Sequence, residues 1–332
     1  MSRRAWLGLW IAAAALIVPV AHLALGRGVD WSELLAGTDT VSWRVLTELR
    51  LPRLVVALFA GTALGLAGLA LQSVLRNPLA APELTAVNPS AVLGYLIASG
   101  TGLIDGGSVF SSVLSATVGG LLGGGLLWLV AHRRTSEQTA VLGLLSALAL
   151  TGVVTILIAA RPTGVGGALR WLIGSVEARV AEHVPMIAIP VLAGFAALVL
   201  VADRLEILAV SDSHAHCLGI SPGFWRGVGI GIAVLLASAA VATVGPLAFV
   251  GFVSPHVVRL VFGGRLRRQV VLVAVCGGLF VAASDLIAKA VSLAIQLTGD
   301  GQQVGVPVGA VTCLIGAAAL VAVASSHQES EP

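Results

Sequence analysis

The sequence of 332 residues has little charge, few aromatic residues and few cysteines. Only 11% of its residues are charged, and Lys289 is the one lysine among 19 basic residues. A phosphate-binding loop places a lysine directly after its glycines, and no glycine-rich loop precedes Lys289, so the chain has no ATP site of that kind. The three cysteines are far apart and lack paired spacing, which argues against a disulfide framework or a zinc site.

Apolar residues dominate the chain instead. They make up 57% of it, and the mean hydropathy is +1.00. No soluble domain is that apolar, so the composition predicts an all-α polytopic membrane protein. The 40 glycines fit close helix packing in lipid. The pI near 9.1 does not indicate a nucleic-acid partner, because the net charge is only +3 and the arginines lie in short loops between apolar runs.

Ten apolar runs approach the length of about 20 residues that a helix needs to cross a bilayer. They cover residues 5–25, 54–75, 91–103, 109–131, 139–160, 184–202, 227–244, 249–262, 270–293 and 308–324. With ten spans both termini share one side, which the arginine bias places in the cytoplasm. The first run has flanks like those of a signal peptide, but its longer apolar core favours a retained helix. We expect residues 1–332 to form a single membrane domain.

Charged residues in and beside the apolar runs are candidate functional groups. Asp285 and Lys289 are four residues apart in the ninth run, so one helix face carries both and they are expected to neutralise each other. Arg50 and Arg53 stand at the start of the second run. Residues 169–180 carry apolar side chains at helical spacing, which predicts an amphipathic helix on the outer membrane surface.

Prolines predict broken or kinked helices at two places. In RNPLAAPELTAVNP, residues 76–89, three prolines interrupt the inner end of the second run. Broken backbone at membrane depth is tolerated where protein or a water-filled cavity satisfies it, so we interpret this loop as a gate, with a helix cap and turn as the alternative. In the eighth run Pro255 predicts a kink, His256 is expected to be structural, and Arg259 is expected to extend toward the membrane interface.

A polar stretch, residues 203–226, separates the sixth and seventh runs. Because it lies on the arginine-richer side and has no lipid-facing role, it is predicted to be a partly helical loop that contacts something outside the membrane. His214 and His216 do not predict a metal site there, since residues two apart on a helix point in different directions.

Taken together, the blocks at residues 50–91, 245–263 and 285–289, with GVPVGAVTCLIGA from Gly305 and LGI after the polar stretch, identify a family. They closely resemble the permease subunits of the ABC importers for iron-siderophores, haem and cobalamin, the FecCD type. The resemblance covers nearly the whole chain in the right order. It implies a type II ABC importer permease fold of about ten transmembrane helices in the bacterial cytoplasmic (inner) membrane.

The resemblance also implies a function. The chain would be a non-catalytic transport subunit that imports a metal chelate, with ferric siderophore favoured and haem or cobalamin as alternatives. Two separate ATPase subunits would bind ATP and Mg, so this chain would hold no cofactor and no metal of its own. A second permease subunit, homologous or identical, and a substrate-binding protein would complete the importer.

Individual residues match the family's functional positions. Arg50, Arg53 and Lys289 match basic residues that dock the binding protein; family members commonly carry arginine at the last position, so its contact is expected to be weaker. The other assignments are the cytoplasmic gate, Asn77, Leu79, Ser136 and Glu137; ATPase coupling, Asp212, Ser213, His216, Leu218 and Gly219; and structural motifs, Pro78, Gly245, Pro246, Pro255, His256, Arg259 and Asp285.

Three departures from the family pattern stand out. In the coupling segment, where two short helices are expected, Ser213 replaces an acidic residue and His216 replaces an arginine. These changes indicate ATPase contacts that differ from those of the family. The family also has an acidic residue where Gly305 stands, so the outer rim is expected to lose one negative charge.

Two other classes of protein fit the sequence less well. An ion-coupled secondary transporter would need intramembrane acids as ion sites, and only Asp285 is available. An intramembrane enzyme would need a catalytic cluster, and the chain has no HExxH, no GxSxG and no paired aspartates within the spans.

Overall fold

The computed structural model describes residues 3–26, 28–35, 40–104, 108–131, 136–160, 173–298 and 305–328. Its α-helices are α1 Arg3–Ala24, α2 Trp31–Leu35, α3 Thr40–Arg44, α4 Leu51–Leu75, α5 Val87–Gly100, α6 Val109–Ala131, α7 Ser136–Ala159, α8 His183–Val210, α9 Asp212–Cys217, α10 Pro222–Val244, α11 Val250–Val261, α12 Leu266–Thr298 and α13 Val308–Gln328. A π-helical turn, Val45–Arg50, leads into α4, and a 3-10 turn, Pro82–Leu84, precedes α5. The predicted all-α fold class is confirmed.

Each of the ten apolar runs lies on a helix, which agrees loosely with the predicted number of spans. Among the described residues, six segments are long and apolar enough to cross a membrane: Val41–Leu75, Val109–Leu126, Val141–Ala159, His183–Val210, Pro222–Val244 and Leu266–Leu297. Gly8–Ala24, Val250–Val261 and Val308–Val321 are shorter apolar helices, and α5 has 14 residues.

Helices α4 and α10 form the interior of the bundle. Their apolar windows are 78% and 83% buried, whereas that of α7 is only 17% buried. The hydrophobic core therefore surrounds α4 and α10. The apolar faces of peripheral helices such as α7 remain exposed, as expected of surfaces that meet lipid tails or another subunit.

Glycines allow α4 to cross two other helices at close range. A Cβ atom on Gly61 would overlap the carbonyl oxygen of Gly277 on α12, and one on Gly68 would overlap that of Gly251 on α11. No side chain fits at either crossing, so the backbones approach as closely as small residues permit. These crossings fix α4 against the helices that carry Asp285 and Pro255.

The polar stretch at residues 203–226 is more helical than predicted. Helix α8 continues into it because Leu205 and Leu208 are fully buried, and α10 begins at Pro222. The loop is therefore confined to residues 211–221, and it contains one short helix, α9, where two were expected.

The prediction of an amphipathic helix over residues 169–180 is wrong for the second half of that segment. Residues 161–172 lie outside the described part of the chain, and residues 174–182 have irregular backbone. Gly174 and Ala178 have φ angles of 79° and 59°, which an α-helix cannot contain. The segment is instead an ordered turn that leads into α8.

Candidate functional site at the two ends of the bundle

Charged residues stand at both ends of α4. Arg50 and Arg53 lie at its start, and Arg76 follows its last residue. The 25 residues between them rise about 38 Å, enough to cross a bilayer. We call the two ends of the bundle the Arg53 end and the Arg76 end.

A buried network forms at the Arg53 end around Asp285, which is only 1% exposed. Arg53 donates from Nε to Oδ2 at 2.8 Å and from Nη2 to Oδ1 at 2.7 Å, a two-pronged pairing that satisfies both carboxylate oxygens. His22, which is fully buried on α1, contacts Oδ2 through Nε2 at 2.7 Å. Three helices are joined at this one carboxylate.

Lys289 joins the network through His22. Its Nζ donates to Nδ1 at 3.2 Å and to the backbone oxygen of His22 at 3.3 Å. Because an ammonium group only donates, Nδ1 must accept, and Nε2 carries the proton that is donated to Asp285. The predicted direct pairing of Asp285 with Lys289 is therefore wrong. The Arg53 guanidinium binds the Asp285 carboxylate, and the His22 ring lies between Asp285 and Lys289.

Arg50 connects α1 to α4 in a different way. Its Nη1 donates to the backbone oxygens of Leu23 at 2.6 Å and Ala24 at 3.3 Å, where α1 ends. The last carbonyl groups of a helix lack partners within the helix and carry partial negative charge, so a guanidinium stabilises them. Arg50 is 6% exposed.

The three residues assigned to docking, Arg50, Arg53 and Lys289, line one open cleft of about 510 Å³. Among the described residues, Arg179 and Glu177, from the turn before α8, are the other charged residues that line it. We call this space the cationic cleft. The sequence analysis missed Arg179 because it placed that residue on the polar face of an amphipathic helix.

Glu177 occupies the space next to Gly305. A Cβ atom on Gly305 would overlap the Glu177 carboxylate. A carboxylate therefore lies beside position 305 at the rim of the cleft.

At the Arg76 end, Asp212 connects α9 to α4 and α10. Arg226 on α10 donates from Nη2 to both carboxylate oxygens, at 3.0 and 3.1 Å, and Arg76 donates from Nη2 to Oδ1. The Ser211 side chain caps α9 by accepting from the His214 N–H at 3.0 Å. The predicted coupling segment is therefore held directly against the residue at which the gate loop begins.

The gate loop itself starts with a tight turn. The Asn77 side chain accepts from the Leu79 N–H at 2.9 Å, and the Ala80 N–H donates to the Asn77 backbone oxygen at 3.0 Å. Pro78 lies inside this turn, and Leu79 is 50% exposed. The side chains of Ser136 and Glu137 lie outside the described part of the chain.

Most of the predicted coupling residues face outward. Ser213 and His216 are exposed on α9, and Leu218 is 55% exposed just after it. Gly219 has a φ of 72° and lets the chain turn back so that the Ile220 N–H donates to the α9 backbone. Ser213, His216 and Leu218 are therefore accessible at the surface of the Arg76 end.

Glu83, which the sequence analysis did not single out, buries its carboxyl group inside the gate loop. Neither oxygen has a hydrogen-bond partner among the described residues. Burial raises the pKa of Glu83 to about 7, although the nearby backbone N–H groups of Glu83 and Phe249 oppose this shift. The carboxyl group therefore binds a proton at a higher pH than an exposed glutamate does.

The proposed structural motifs lie where helices end or bend. Gly245, with a φ of 79°, ends α10 before Pro246, and Pro255 lies inside α11. The His256 ring stacks on Phe252 with 5.6 Å between centroids. Arg259 keeps its Nη2 buried, without a hydrogen-bond partner in the described chain. Among the described residues, no group of three or more His, Cys, Asp or Glu side chains could hold a metal ion.

A comparison with known proteins identifies the family. The model of the FecCD transport family matches residues 9–326. The chain belongs to this family. Over 91% of its length, and 89% of the relative's, this FecCD protein is 36% identical to FecD, the permease protein of the Fe(3+) dicitrate transport system of Escherichia coli K12. It is 34% identical to the ferric enterobactin permease FepG of the same organism, over 83% and 81% of the two chains.

Other relatives are named for different substrates. The FecCD chain is 30% identical to the cobalamin import permease BtuC of Halobacterium salinarum, over 85% of its own length and 73% of the relative's. Its fold matches the inward-facing conformation of a metal-chelate type ABC transporter, with a TM-score of 0.83, 23% identity and coverage of 96% and 98% of the two chains. The family resemblance predicted from the sequence is confirmed, and so is the ABC permease fold.

Proposed function

We propose that this FecCD protein is the membrane permease subunit of an ATP-driven importer for a ferric chelate, with siderophores as the favoured class. The family match over residues 9–326 carries the proposal. Relatives named for ferric dicitrate and ferric enterobactin support an iron chelate as cargo. A cobalamin importer, or a haem importer of the same family, is the second candidate, favoured by the 30% identity to a cobalamin permease.

In this proposal the Arg53 end faces outward and both termini lie in the cytoplasm. Acidic side chains of a substrate-binding protein dock over Arg50, Arg53 and Lys289, whose convergence on one cleft supports a common contact. Such docking is charge-complementary, so it accelerates association and weakens as salt rises. Arg53 is 19% exposed on its side chain, so it contributes to the field of this surface while it holds Asp285.

The Arg76 end would contact the ATPase subunits and move when they hydrolyse ATP. Two ATPase subunits, which bind the ATP and Mg, would contact the exposed residues of α9 and Leu218. Asp212 supports this role because its bonds to Arg76 and Arg226 connect α9 to the starts of the gate loop and α10. A displacement of α9 would thus act on the start of the loop that carries Asn77 and Leu79.

Identification of the partners tests the proposal. The tagged full chain is purified in mild detergent from its native host, and stoichiometric partners are identified by mass spectrometry. We expect an ABC ATPase, a binding protein in low-salt preparations, and either a second, homologous permease or this permease alone. Absence of any ATPase, under conditions that preserve known ABC complexes, would contradict the coupling role of α9.

Uptake assays distinguish the cargoes. Cells that lack this chain are compared with complemented cells for uptake of radioactive iron bound to several chelators, and of labelled cobalamin and haem. Loss of ferric chelate uptake alone is the expected result. Loss of cobalamin or haem uptake, with iron unaffected, would transfer the assignment to the second candidate.

A further inference from the structure

An apolar groove of about 250 Å³ lies between α1, α11 and α12. Its walls include Val18 on α1, Val257 on α11 and Leu279 on α12. Leu260, one turn beyond Val257, and Val275, one turn before Leu279, are both exposed. The groove therefore opens on an apolar surface of the bundle that the described chain leaves uncovered. We call it the α1 groove.

Helix α12 begins at the Arg76 end of the bundle. Its Asp285 pairs with Arg53 at the start of α4, and its Gly277 crosses α4 further along, so the two helices are antiparallel. The first turn of α12 and the residue before it carry three exposed arginines, Arg265, Arg267 and Arg268. Among the described residues, none of these three forms an ion pair with an acid. The surface at the start of α12 therefore has positive charge without counter-ions.

The loop between α11 and α12 is fixed by specific bonds. Gly263 and Gly264 have φ angles of 55° and 87°, which lets the chain turn sharply between the two helices. The Gln269 side chain donates from Nε2 to the Gly264 oxygen at 2.8 Å. The Glu206 carboxylate of α8 accepts from the first N–H of α12 at 3.0 Å, so this acid bonds the backbone rather than an arginine. The arginines are thus presented from an ordered turn.

The α1 groove and the arginines are separated by the depth of one lipid leaflet. Arg268, Val275 and Leu279 follow one another at helical spacing on one face of α12. The rise from Arg268 to Leu279 is about 16 Å, and half of the hydrocarbon core of a bilayer is about 15 Å. A phospholipid whose phosphate contacts Arg268 therefore reaches the groove with its acyl chain. An apolar face of another protein would fill the groove but leave the arginines without counter-ions.

We propose that the α1 groove and the three arginines form a binding site for one anionic phospholipid of the cytoplasmic leaflet. The acyl chain lies between α1, α11 and α12, and the phosphate lies at Arg265 and Arg268. Guanidinium groups bind phosphate oxygens through two parallel N–H donors, and basic residues beside membrane helices attract anionic lipids. The site uses the orientation proposed above, with the Arg76 end in the cytoplasm, and it is independent of the cargo.

Native mass spectrometry of the purified full chain, with its co-purifying subunits, tests the headgroup contact. The protein is titrated in detergent with phosphatidylglycerol or phosphatidylcholine that carry the same acyl chains. We expect tighter binding of the anionic lipid. Arg265→Gln and Arg268→Gln should each weaken its binding about fivefold, as expected for one basic residue at a lipid surface, and leave phosphatidylcholine unaffected. Arg44→Gln is the matched control, since Arg44 is exposed and paired with Glu48 at the Arg53 end.

A second pair of variants tests the groove. Leu279→Trp adds bulk between the three helices and should weaken binding of both lipids. Leu16→Trp changes an exposed position of α1 outside the groove lining and should bind both lipids like the wild type. Unfolding temperatures without added lipid establish that both variants are folded.

Several results would overturn the assignment. They are equal binding of the two lipids by the wild type, normal phosphatidylglycerol binding by both arginine variants, and normal binding by Leu279→Trp. Displacement of the lipid by millimolar inorganic phosphate would identify a site for free phosphate instead. If lipid binding is unchanged while Leu279→Trp loses a second permease subunit, the groove is a subunit interface; if the arginine variants lose an ATPase instead, the arginines contact that protein.

Discussion

At each end of the bundle an aspartate accepts hydrogen bonds from two basic side chains, but the two aspartates differ in solvent exposure. Asp285 at the Arg53 end is 1% exposed and accepts bonds from Arg53 and His22. The Asp212 side chain at the Arg76 end is 46% exposed and accepts from Arg76 and Arg226. A buried charge pair is strongly unfavourable to break, whereas an exposed pair contributes little. The same kind of ion pair is therefore hard to separate at the Arg53 end and easier to separate at the Arg76 end.

Glu83 sharpens this contrast, because it is buried like Asp285 but lies near the Arg76 end. Its carboxyl oxygens have no hydrogen-bond partner among the described residues, while both oxygens of Asp285 are satisfied by Arg53. Burial thus has opposite consequences for the two acids. Asp285 is paired with cations, whereas the pKa of Glu83 is raised to about 7.

The largest expected effect is that of Asp285→Ala. It leaves Arg53 and His22 buried without their acceptor, which should destabilise the folded protein by about 3–5 kcal/mol. Thermal unfolding in detergent, followed by tryptophan fluorescence, measures the loss. Asp203→Ala, an exposed aspartate on α8, serves as the control and should unfold like the wild type. Equal stability of the two variants would show that the network does not hold α1, α4 and α12 together.

Glu83→Gln should remove a pH dependence of on the order of 3 kcal/mol. The folded-state pKa of about 7 lies above the ordinary value of 4.5, so the folded protein holds the proton more tightly than the unfolded one. Wild-type stability should therefore fall as the pH rises from about 4.5 through 7, and this part of the fall should be missing in Glu83→Gln. Unfolding temperatures of both proteins between pH 5 and 8 make the comparison; parallel curves would contradict the buried neutral carboxyl.

His22→Phe should have an intermediate effect, about 1–3 kcal/mol, because Asp285 loses one donor and Lys289 loses its acceptor while Arg53 remains. The same unfolding assay applies. His214→Phe is the matched control, since His214 is exposed on α9. A loss of stability in the control equal to that in His22→Phe would argue against a specific role of the buried histidine.

Asp212→Asn should have the smallest effect on stability, within about 1 kcal/mol, because the Asp212 side chain is 46% exposed and the asparagine amide oxygen can still accept from Arg76 and Arg226. Its effect should appear in function. Weaker attachment of α9 to Arg76 and Arg226 should lower ATP-driven uptake while basal ATP hydrolysis by the complex continues. Uptake and hydrolysis are measured on the same preparation, and normal uptake per ATP would argue against Asp212 as the mechanical connection.

The sequence predicts most of the helices but places some of their ends incorrectly. Apolar runs mark the middle of each helix, where lipid or core sets the composition. They do not mark where α8 ends, because Leu205 and Leu208 bury an apolar stripe within an otherwise polar stretch. Their spacing of three residues was the available signal. The irregular turn at 174–182 follows from tertiary bonds to α10 and α13, which no local pattern reports.

The sequence analysis predicted which residues would lie at the candidate site but not which hydrogen bonds they form. Arg50, Arg53 and Lys289 converge on one cleft. The pairing of Asp285 was missed because its real partners, Arg53 and His22, lie more than 200 residues away in sequence. A neighbour four residues along a helix was the only partner that the sequence could suggest. Arg179 was missed for a different reason: the turn at Ala178, which places Arg179 in the cleft, was predicted to be helical.

ATP-driven uptake in proteoliposomes tests the central claim most directly. The purified complex is reconstituted with its binding protein outside, and accumulation of radioactive iron is followed with ATP or a non-hydrolysable analogue inside. We predict accumulation only with hydrolysable ATP, reduced by high salt in the outer buffer. Accumulation without ATP hydrolysis that follows a proton or sodium gradient would contradict the account and would identify the chain as a secondary transporter.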